Sequence, residues 1–237
     1  MTVDRQTADD GPNFGETWVY ESIVGAVPGL SLSTRAALAV QIAIFEGGIL
    51  VLAGVYDLWD AAVPGTVAVA VAAAGSVAMR RIGERTRQTA TPAPYRRLLF
   101  GSSIEVVLGV LAFAAAVTYL FVVDLRGDGP LVETLFGPRP PVLAVYLALL
   151  VLWDLCYRTG VSWWTAVVSL WGALRYRFDA ATARSLRRLD ATNVVFGATQ
   201  LALLPFVWDD PVLSFAIGGH VAAVALVSAA AVLRRKQ

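Results

Sequence analysis

The chain has 237 residues, of which 57% are hydrophobic and only 16% are charged, and its formal net charge at neutral pH is +1. Because soluble domains carry about 25% charged residues, this composition excludes a soluble globular enzyme and a disordered chain. The single cysteine excludes a disulfide-stabilised secreted domain. The even balance of charges differs from the strongly basic domains that bind nucleic acid, and we predict no nucleic-acid partner.

The N-terminal residues do not resemble a membrane span. Residues 1–14 are polar and acidic, which predicts a disordered tail without the basic and apolar regions of a cleaved signal peptide. Residues 15–28 place Trp18 among apolar residues at helical spacing. This stretch is too short to cross a bilayer core of about 30 Å, which needs about 20 apolar residues. We therefore predict a short interfacial helix that ends at Pro28 and a single membrane domain over residues 15–237.

Long apolar blocks follow, and the mean hydropathy of the chain is +0.64. Each block is close to the length that spans a bilayer. Short acidic turns at 57–60 and 209–211 join neighbouring blocks, so these pairs are expected to form antiparallel hairpins. The five clear spans are residues 35–57, 61–79, 98–123, 190–208 and 211–233.

The region 141–176 is ambiguous by length alone. As one helix it would extend about 54 Å at 1.5 Å per residue, which is too long for one span and marginal for two. The loops carry a strong charge asymmetry: the net charge is +5 in 80–97 and +3 in 175–190, whereas the remaining loops together hold −5. Since basic loops stay in the cytoplasm, a single crossing is required to keep both basic loops and the basic C-terminus on one side.

We therefore predict an all-α polytopic bundle of six transmembrane helices in the cell membrane, with both termini in the cytoplasm. The remaining span, the fourth in chain order, is residues 141–162, and Gly160 marks a bend. Residues 163–176 then run along or out of the inner interface, where tryptophan rings are enriched; this segment contains Trp163, Trp164 and Trp171.

Polar and ionisable side chains within the spans are the informative positions for function. A charge at the bilayer centre costs at least about 2.5–3.5 kcal/mol, so such groups usually face protein or water and mark functional sites. We predict no metal or cofactor site among them, because one histidine and one cysteine cannot form a usual ligand set. The candidate intramembrane polar site consists of Glu46, Glu105, Asp154, Arg158, Asn193, Gln200 and His220.

Asp154 and Arg158 are separated by four residues, the spacing of an ion pair on one helix face. They could form a self-contained pair that lets a polar helix insert, or a polar centre in which Arg158 also meets Glu105. Glu105 shares a face with two glycines, which predicts that it points into the bundle. It could be a structural acid held by Arg158, Asn193 or the backbone, or it could bind a cation or a proton.

Glu46 and His220 lie near the middle of their spans. No cation in its own span can pair with Glu46, so we expect this side chain to be buried and protonated at neutral pH. It could donate one structural hydrogen bond, or it could take part in proton- or ion-linked transport. His220 follows two glycines and is interpreted as a packed core histidine. Pro205 is expected to kink its span.

Three classes of function remain open. The buried polar residues favour a small-solute or ion- or proton-linked transporter. The alternative is a non-catalytic membrane subunit, scaffold or sensor, whose basic inner loops dock an anionic lipid or a protein partner. A membrane-embedded enzyme acting on lipid is least favoured, because the sequence has no P-loop, zinc-protease or nucleophile-elbow motif.

Overall fold

The computed structural model describes residue 18, residues 34–127 and residues 129–235. Within these residues all regular structure is helical, which confirms the all-α class. The predicted tail 1–14 lies outside them. Three short irregular helical segments, one π and two 3-10, are Tyr119–Val123, Asp124–Arg126 and Gln200–Phe206. The α-helices are α1 (Thr34–Tyr56), α2 (Trp59–Gln88), α3 (Ala93–Phe100), α4 (Ile104–Thr118), α5 (Leu131–Phe136), α6 (Val142–Arg175), α7 (Ala180–Thr199) and α8 (Pro211–Arg234).

The helices have the composition of a membrane bundle. In the described part of the chain, five helical stretches are long and apolar enough to cross a membrane. The first lies within α1, three coincide with α2, α6 and α8, and the fifth joins α3, α4 and the two irregular segments that follow α4. These stretches are Ala36–Tyr56, Trp59–Gln88, Ala93–Arg126, Val142–Arg175 and Pro211–Arg234.

The predicted span 190–208 is largely helical, but it is not among the five stretches that are long and apolar enough to cross a membrane. It starts in the middle of α7, whose first half carries arginines, and its apolar end becomes the 3-10 segment Gln200–Phe206. Pro205 explains this change, because its ring and missing amide hydrogen are incompatible with an α-helix over the preceding turn. The count of six spans therefore stays a prediction.

The structure shows no break in the helix at Gly160, where a bend is predicted, and the interfacial position of residues 163–176 stays a prediction. Residues Val142–Arg175 form one continuous helix, α6, which passes through Gly160. Its C-terminal turns remain helical because they pack against protein: Val161 and Val168 are completely buried. Trp164 also donates a hydrogen bond from its indole nitrogen to the Leu98 carbonyl, at 3.0 Å.

Helix α6 is the centre of the bundle, since it packs against α1, α2, α4, α7 and α8. The bundle has two chemically distinct ends. We call the end that contains residues 79–100 and 163–190 the basic end, and the end that contains the turns 57–60, 124–140 and 209–210 the acidic end.

The basic end has a tightly packed hydrophobic core. The C-terminal parts of α2 and α6 extend there and meet α3 and the first half of α7. Trp18 also belongs to this core: its ring packs edge-on against Phe100 with centroids 5.1 Å apart. The rest of the predicted interfacial helix lies outside the described residues. The core consists of Trp18, Met79, Ile82, Tyr95, Leu99, Phe100, Tyr157, Val161, Val168, Leu186 and Leu189.

Two glycines allow α4 and α6 to approach with their backbones in contact. A Cβ atom at Gly160 would lie 2.6 Å from the Glu105 carbonyl oxygen and 2.7 Å from the Gly109 nitrogen. A Cβ atom at Gly109 would lie 2.9 Å from the Tyr157 Cα. Small residues are the usual device for close helix packing in membranes, and here they fix the position of Glu105 against α6.

Two aspartates cap helices that begin after short loops. Asp210 accepts hydrogen bonds from the amides of Val212 and Leu213 at the start of α8. Asp179 does the same at the start of α7, where the Thr182 amide and hydroxyl and then the Ala181 amide lower the pKa of its carboxyl. Local side-chain chemistry therefore sets where both helices start.

The span count can be tested by labelling single cysteines on either side of residues 190–208. On a Cys156→Ala background, Arg184→Cys and Asp209→Cys are expected to react with a membrane-impermeant maleimide from opposite sides of intact vesicles. If both cysteines react from the same side, the segment does not cross and the bundle has five spans.

The contact between α4 and α6 can be tested with Gly160→Ala. We expect the free energy of unfolding in detergent to fall by about 1–3 kcal/mol, because the new methyl group meets backbone atoms that cannot move separately. Gly47→Ala is the control, since a Cβ atom there would meet nothing within 4 Å. Equal losses of stability in the two variants would contradict the close contact.

Candidate functional site

Asp154 and Arg158 form a buried ion pair on α6, as their spacing predicts. The Arg158 Nη2 lies 2.7 and 2.9 Å from the two carboxylate oxygens of Asp154, and its Nε lies 3.1 Å from one of them. Arg158 is 1% exposed and Asp154 is 7% exposed. A side-by-side contact of this kind satisfies both charges at once.

The pair also connects α6 to its neighbours. Gln41 on α1 donates a hydrogen bond to Asp154 at 3.2 Å, and Arg158 donates to the sulfur of Met79 on α2 at 3.6 Å. Gly75 makes room for this arrangement, because a Cβ atom there would lie 2.5 Å from the Arg158 Cδ and 2.7 Å from the Phe196 ring. The ion pair is therefore enclosed by α1, α2 and α7.

The structure does not place Arg158 against Glu105, and that part of the prediction is wrong. Gly160, which contacts α4, lies six residues beyond Asp154, and at about 100° per residue it faces a different direction. Arg158 points toward α2, whereas Glu105 lies at the start of α4. The face of α6 that carries the ion pair and the face that contacts α4 are too far apart around the helix axis. The Arg158 guanidinium therefore cannot bind both Asp154 and Glu105.

Glu105 is completely buried. Neither of its carboxyl oxygens has a hydrogen-bond partner in the part of the chain that the structure describes. It occupies the first turn of α4, where Ser103 precedes it with a positive φ of 54° and makes no side-chain cap. An ionised carboxylate without a partner is very costly to bury, so this position is one where a proton or a ligand would be stabilising.

Glu46 is only half-buried, so the prediction that it is buried is wrong. Its carboxylate accepts a hydrogen bond of 2.7 Å from the Thr66 hydroxyl on α2. The contact joins the two helices of the first hairpin. The protonation state of Glu46 stays a prediction.

The remaining predicted residues lie on α7, on the 3-10 segment Gln200–Phe206 and on α8. Asn193 is buried and donates to the Ser162 carbonyl at 2.9 Å, which joins α7 to α6. Gln200 is buried, and His220 is half-buried on α8. The Nε2 atoms of Gln200 and His220 have no hydrogen-bond partner among the residues with described positions.

A second buried ionic cluster was missed by the sequence analysis, which counted its charges as loop charges. Arg235, at the end of α8, pairs with Asp190 on α7, and Ser169 on α6 donates to the same carboxylate. Arg235 also donates to the Ser169 carbonyl at 3.0 Å. The only sequence signal was that Asp190 stands at the start of an apolar block, where an unpaired acid would be unfavourable.

An apolar cleft lies at the acidic end of the bundle. Its volume is about 430 Å³, within the range of about 300–1,000 Å³ that is typical of small-molecule sites. It is bordered by α1, α2, α4, α5, α6, α7 and α8 together with the π segment Tyr119–Val123 and the 3-10 segment Gln200–Phe206, and it is partly open. Representative wall residues are Leu52, Ala116, Phe136, Ala148, Leu203 and Leu213.

The cleft is lined almost entirely by apolar side chains. No aspartate, glutamate, lysine or arginine of the described residues lines it. Its polar members are Cys156, Thr159, Gln200 and His220. Of the predicted site residues it therefore gathers only Gln200 and His220. Glu46, Glu105 and the Asp154–Arg158 pair lie outside it.

Residues 13–231 match a family of unknown function, DUF7530. The chain belongs to this family. No curated protein and no solved structure matches it significantly.

The ion pair of α6 generates a prediction about stability. Arg158→Ala leaves the Asp154 carboxylate buried without its cation, and we expect the free energy of unfolding to fall by about 3–5 kcal/mol. The double variant Asp154→Ala with Arg158→Ala removes both charges and should be less destabilised than the single variant. Thermal unfolding in detergent measures both.

The control for this experiment is the surface pair of Arg80 and Glu84. Their closest atoms are 3.8 Å apart, and their side chains are 30% and 52% exposed. Arg80→Ala should change stability by less than about 1 kcal/mol, because exposed pairs contribute little. Equal stabilities of the single and double variants at 154 and 158 would count against the role assigned to the pair.

Proposed function

We propose that this protein is a non-catalytic membrane protein that binds a neutral, lipid-like molecule in the apolar cleft at its acidic end. The observation that carries the proposal is the cleft itself, with a volume of about 430 Å³ and no charged residue of the described chain in its walls. Apolar walls favour an apolar occupant, and a charged group placed there would lack a partner.

The size of the cleft indicates a chain-like molecule. A spanning helix has a diameter of about 10 Å and a length of about 30 Å, so its volume exceeds that of the cleft several times over. A single hydrocarbon chain fits a site of a few hundred cubic ångströms. A small molecule with a hydrocarbon chain therefore suits the cleft better than a partner helix does.

The arrangement of the polar residues supports binding more than ion or proton transport. A transporter needs its ionisable groups along one accessible path. Here Glu46 bonds to α2, Glu105 is enclosed between α4 and α6, and Asp154 is neutralised within its own helix. These groups occupy three separate places, and none of them lines the cleft.

One observation favours proton- or cation-linked transport as a second candidate. Glu105 is completely buried, and its carboxyl oxygens lack hydrogen-bond partners among the described residues. If the protein transports protons or cations, Glu105→Gln should preserve folding and abolish pH-dependent flux in proteoliposomes. Flux that keeps its pH dependence in this variant would remove Glu105 from the mechanism.

The surface of the basic end supports a role as a membrane subunit that contacts an anionic lipid or an acidic protein. Several arginines from α2, α3, α6, α7 and the α6–α7 loop are exposed there. Anionic lipid headgroups or an acidic protein surface would complement them. The exposed arginines are Arg81, Arg85, Arg97, Arg175, Arg177, Arg184 and Arg188, with Arg234 at the end of α8 also exposed.

Photo-crosslinking tests the proposed binding. The purified protein in lipid nanodiscs is exposed to a neutral dodecyl probe that carries a diazirine, and labelled peptides are identified by mass spectrometry. Saturable labelling of cleft-lining peptides, displaced by excess decylbenzene, is expected. Ala116→Phe should reduce this labelling at least tenfold, because Ala116 lines the cleft and a phenyl ring would fill it.

The matched control is the neighbouring Ala115→Phe. Ala115 is exposed and does not line the cleft, so labelling should stay at the wild-type level. The proposal is wrong if labelling of the cleft peptides does not saturate, or if Ala116→Phe and Ala115→Phe behave alike.

A further inference from the structure

A polar pair of side chains lies on the outer surface of the first hairpin. The Thr66 hydroxyl on α2 donates a hydrogen bond of 2.7 Å to the Glu46 Oε1 on α1. Thr66 is exposed and Glu46 is only half-buried, and neither residue lines the cleft. The pair therefore faces the surroundings of the bundle, whereas the acids Glu105 and Asp154 are buried inside it.

The depth of Glu46 makes this exposure unfavourable in a lipid environment. At 1.5 Å per residue it lies about 18 Å from the start of α1 at Thr34 and about 15 Å from its end at Tyr56. This position is near the middle of a bilayer, and a glutamate side chain is too short to reach either headgroup layer from there. Ionisable groups at such depth normally face protein or water.

The Glu46 carboxyl also has unused hydrogen-bonding capacity. Its Oε2 atom has no hydrogen-bond partner among the residues that the structure describes. The Thr66 hydroxyl donates to Oε1 and can still accept a hydrogen bond. Hydrocarbon tails supply neither donors nor acceptors, so a protein surface that does supply them would stabilise this position.

A row of small residues runs beside Glu46 along the outer side of α1. The inner side of this helix packs on α6, where Gln41 bonds to Asp154. The small residues are exposed on the opposite side and, at about 100° per residue, fall within about 80° of one another. This small-residue row consists of Ala39, Ala43, Gly47 and Gly54.

The row leaves the backbone of α1 open to a close neighbour. A Cβ atom at Gly47 or at Gly54 would meet nothing within 4 Å. Leu50 lies among these residues and is 48% exposed, and it would pack into the space beside a glycine of a facing helix. Small residues at such spacing are typical of helix pairs in membranes.

A second copy of the chain complements both features of this face. Two helices approach closely when each carries small residues at the contact, and a two-fold contact places the same patch on both sides. A protonated carboxyl is both a donor and an acceptor, so two Glu46 side chains satisfy each other without a net charge. A foreign partner with a cation at this depth would itself have to insert that charge into the bilayer.

We infer that this face of α1 is the interface of a homodimer, in which the small-residue rows of two copies pack together and their Glu46–Thr66 pairs meet across the two-fold axis. The inference does not depend on the proposed function, because the face lies outside the cleft. The dimer would leave both clefts and the basic ends of both copies accessible to their own ligands.

Cysteine crosslinking in membranes tests the position of the interface. On a Cys156→Ala background, Gly47→Cys is expected to form a disulfide-linked dimer when membrane vesicles are oxidised with copper phenanthroline. Leu111→Cys is the control, since Leu111 is 61% exposed on the outer surface of α4. Crosslinking of both cysteines to the same extent, or of neither, contradicts the proposed interface.

Energy transfer between copies measures the strength of the dimer. Asp209→Cys on the same background carries donor or acceptor dyes, and the protein is diluted stepwise in phosphatidylcholine vesicles. Gly47→Leu should raise the protein density needed for half-maximal transfer at least tenfold. This variant tests the contact cleanly, because a side chain at position 47 meets nothing of its own chain within 4 Å at its Cβ.

The matched control is Gly218→Leu on α8. Gly218 is also a helical glycine whose Cβ would meet nothing within 4 Å, so both variants replace the same residue in an open place. Gly218→Leu should leave the half-maximal density unchanged. Equal effects of the two variants, or wild-type transfer no higher than random proximity produces, would overturn the inference.

Two variants of Glu46 test the polar contact. Glu46→Leu should weaken the dimer at least fivefold, whereas Glu46→Gln should stay within about twofold of the wild type, because an amide also donates and accepts. If Glu46→Leu dimerises as well as the wild type, the polar pair does not meet across the axis and the inference is wrong. Crosslinking of Gly47→Cys to a different membrane protein in place of a second copy would also overturn it.

Discussion

The ion pair between Asp154 and Arg158 is the constraint on which the arrangement of the bundle depends. A buried charge is tolerated only where every partner is supplied, and the partners come from different helices. Gln41 from α1 and Met79 from α2 contact the pair directly, and Gly75 and Phe196 enclose it. The central helix α6 can therefore hold its polar face in only one orientation relative to α1, α2 and α7. That orientation turns the opposite face, with Gly160, toward α4.

From this orientation the two ends of the molecule acquire different properties. At the basic end the long helices α2 and α6 extend past their apolar windows and bury a core with α3 and α7, reinforced by the Asp190–Arg235–Ser169 cluster. At the acidic end the helices surround the cleft, and the short helix α5 and the 3-10 segment form part of its wall. One end is fixed by packing and charge, while the other has room for a ligand.

Much of the fold follows from the sequence, and the failures are local. Apolar length predicted α1, α2, α4 and α8 as helices long enough to span a bilayer, whereas the single crossing within 141–176 was predicted from the charge asymmetry of the loops. The close contact at Gly160 could not be predicted, since a glycine inside an apolar run can mark a kink or a close helix contact, and only the position of α4 reveals the contact. Of the polar site, the spacing of Asp154 and Arg158 was sufficient to predict their contact.

The sequence by itself determined the class of protein, the length of its apolar helices and the one charge pair that lies within a single helix, because each depends on local composition or on spacing along one element. Tertiary structure decided which polar groups meet across helices. It separated Arg158 from Glu105, joined Asp190 to Arg235 over 45 positions of chain, and left Gln200 and His220 beside an uncharged cleft. Such contacts depend on how each helix is rotated about its own axis, and that rotation is set by packing against the whole bundle.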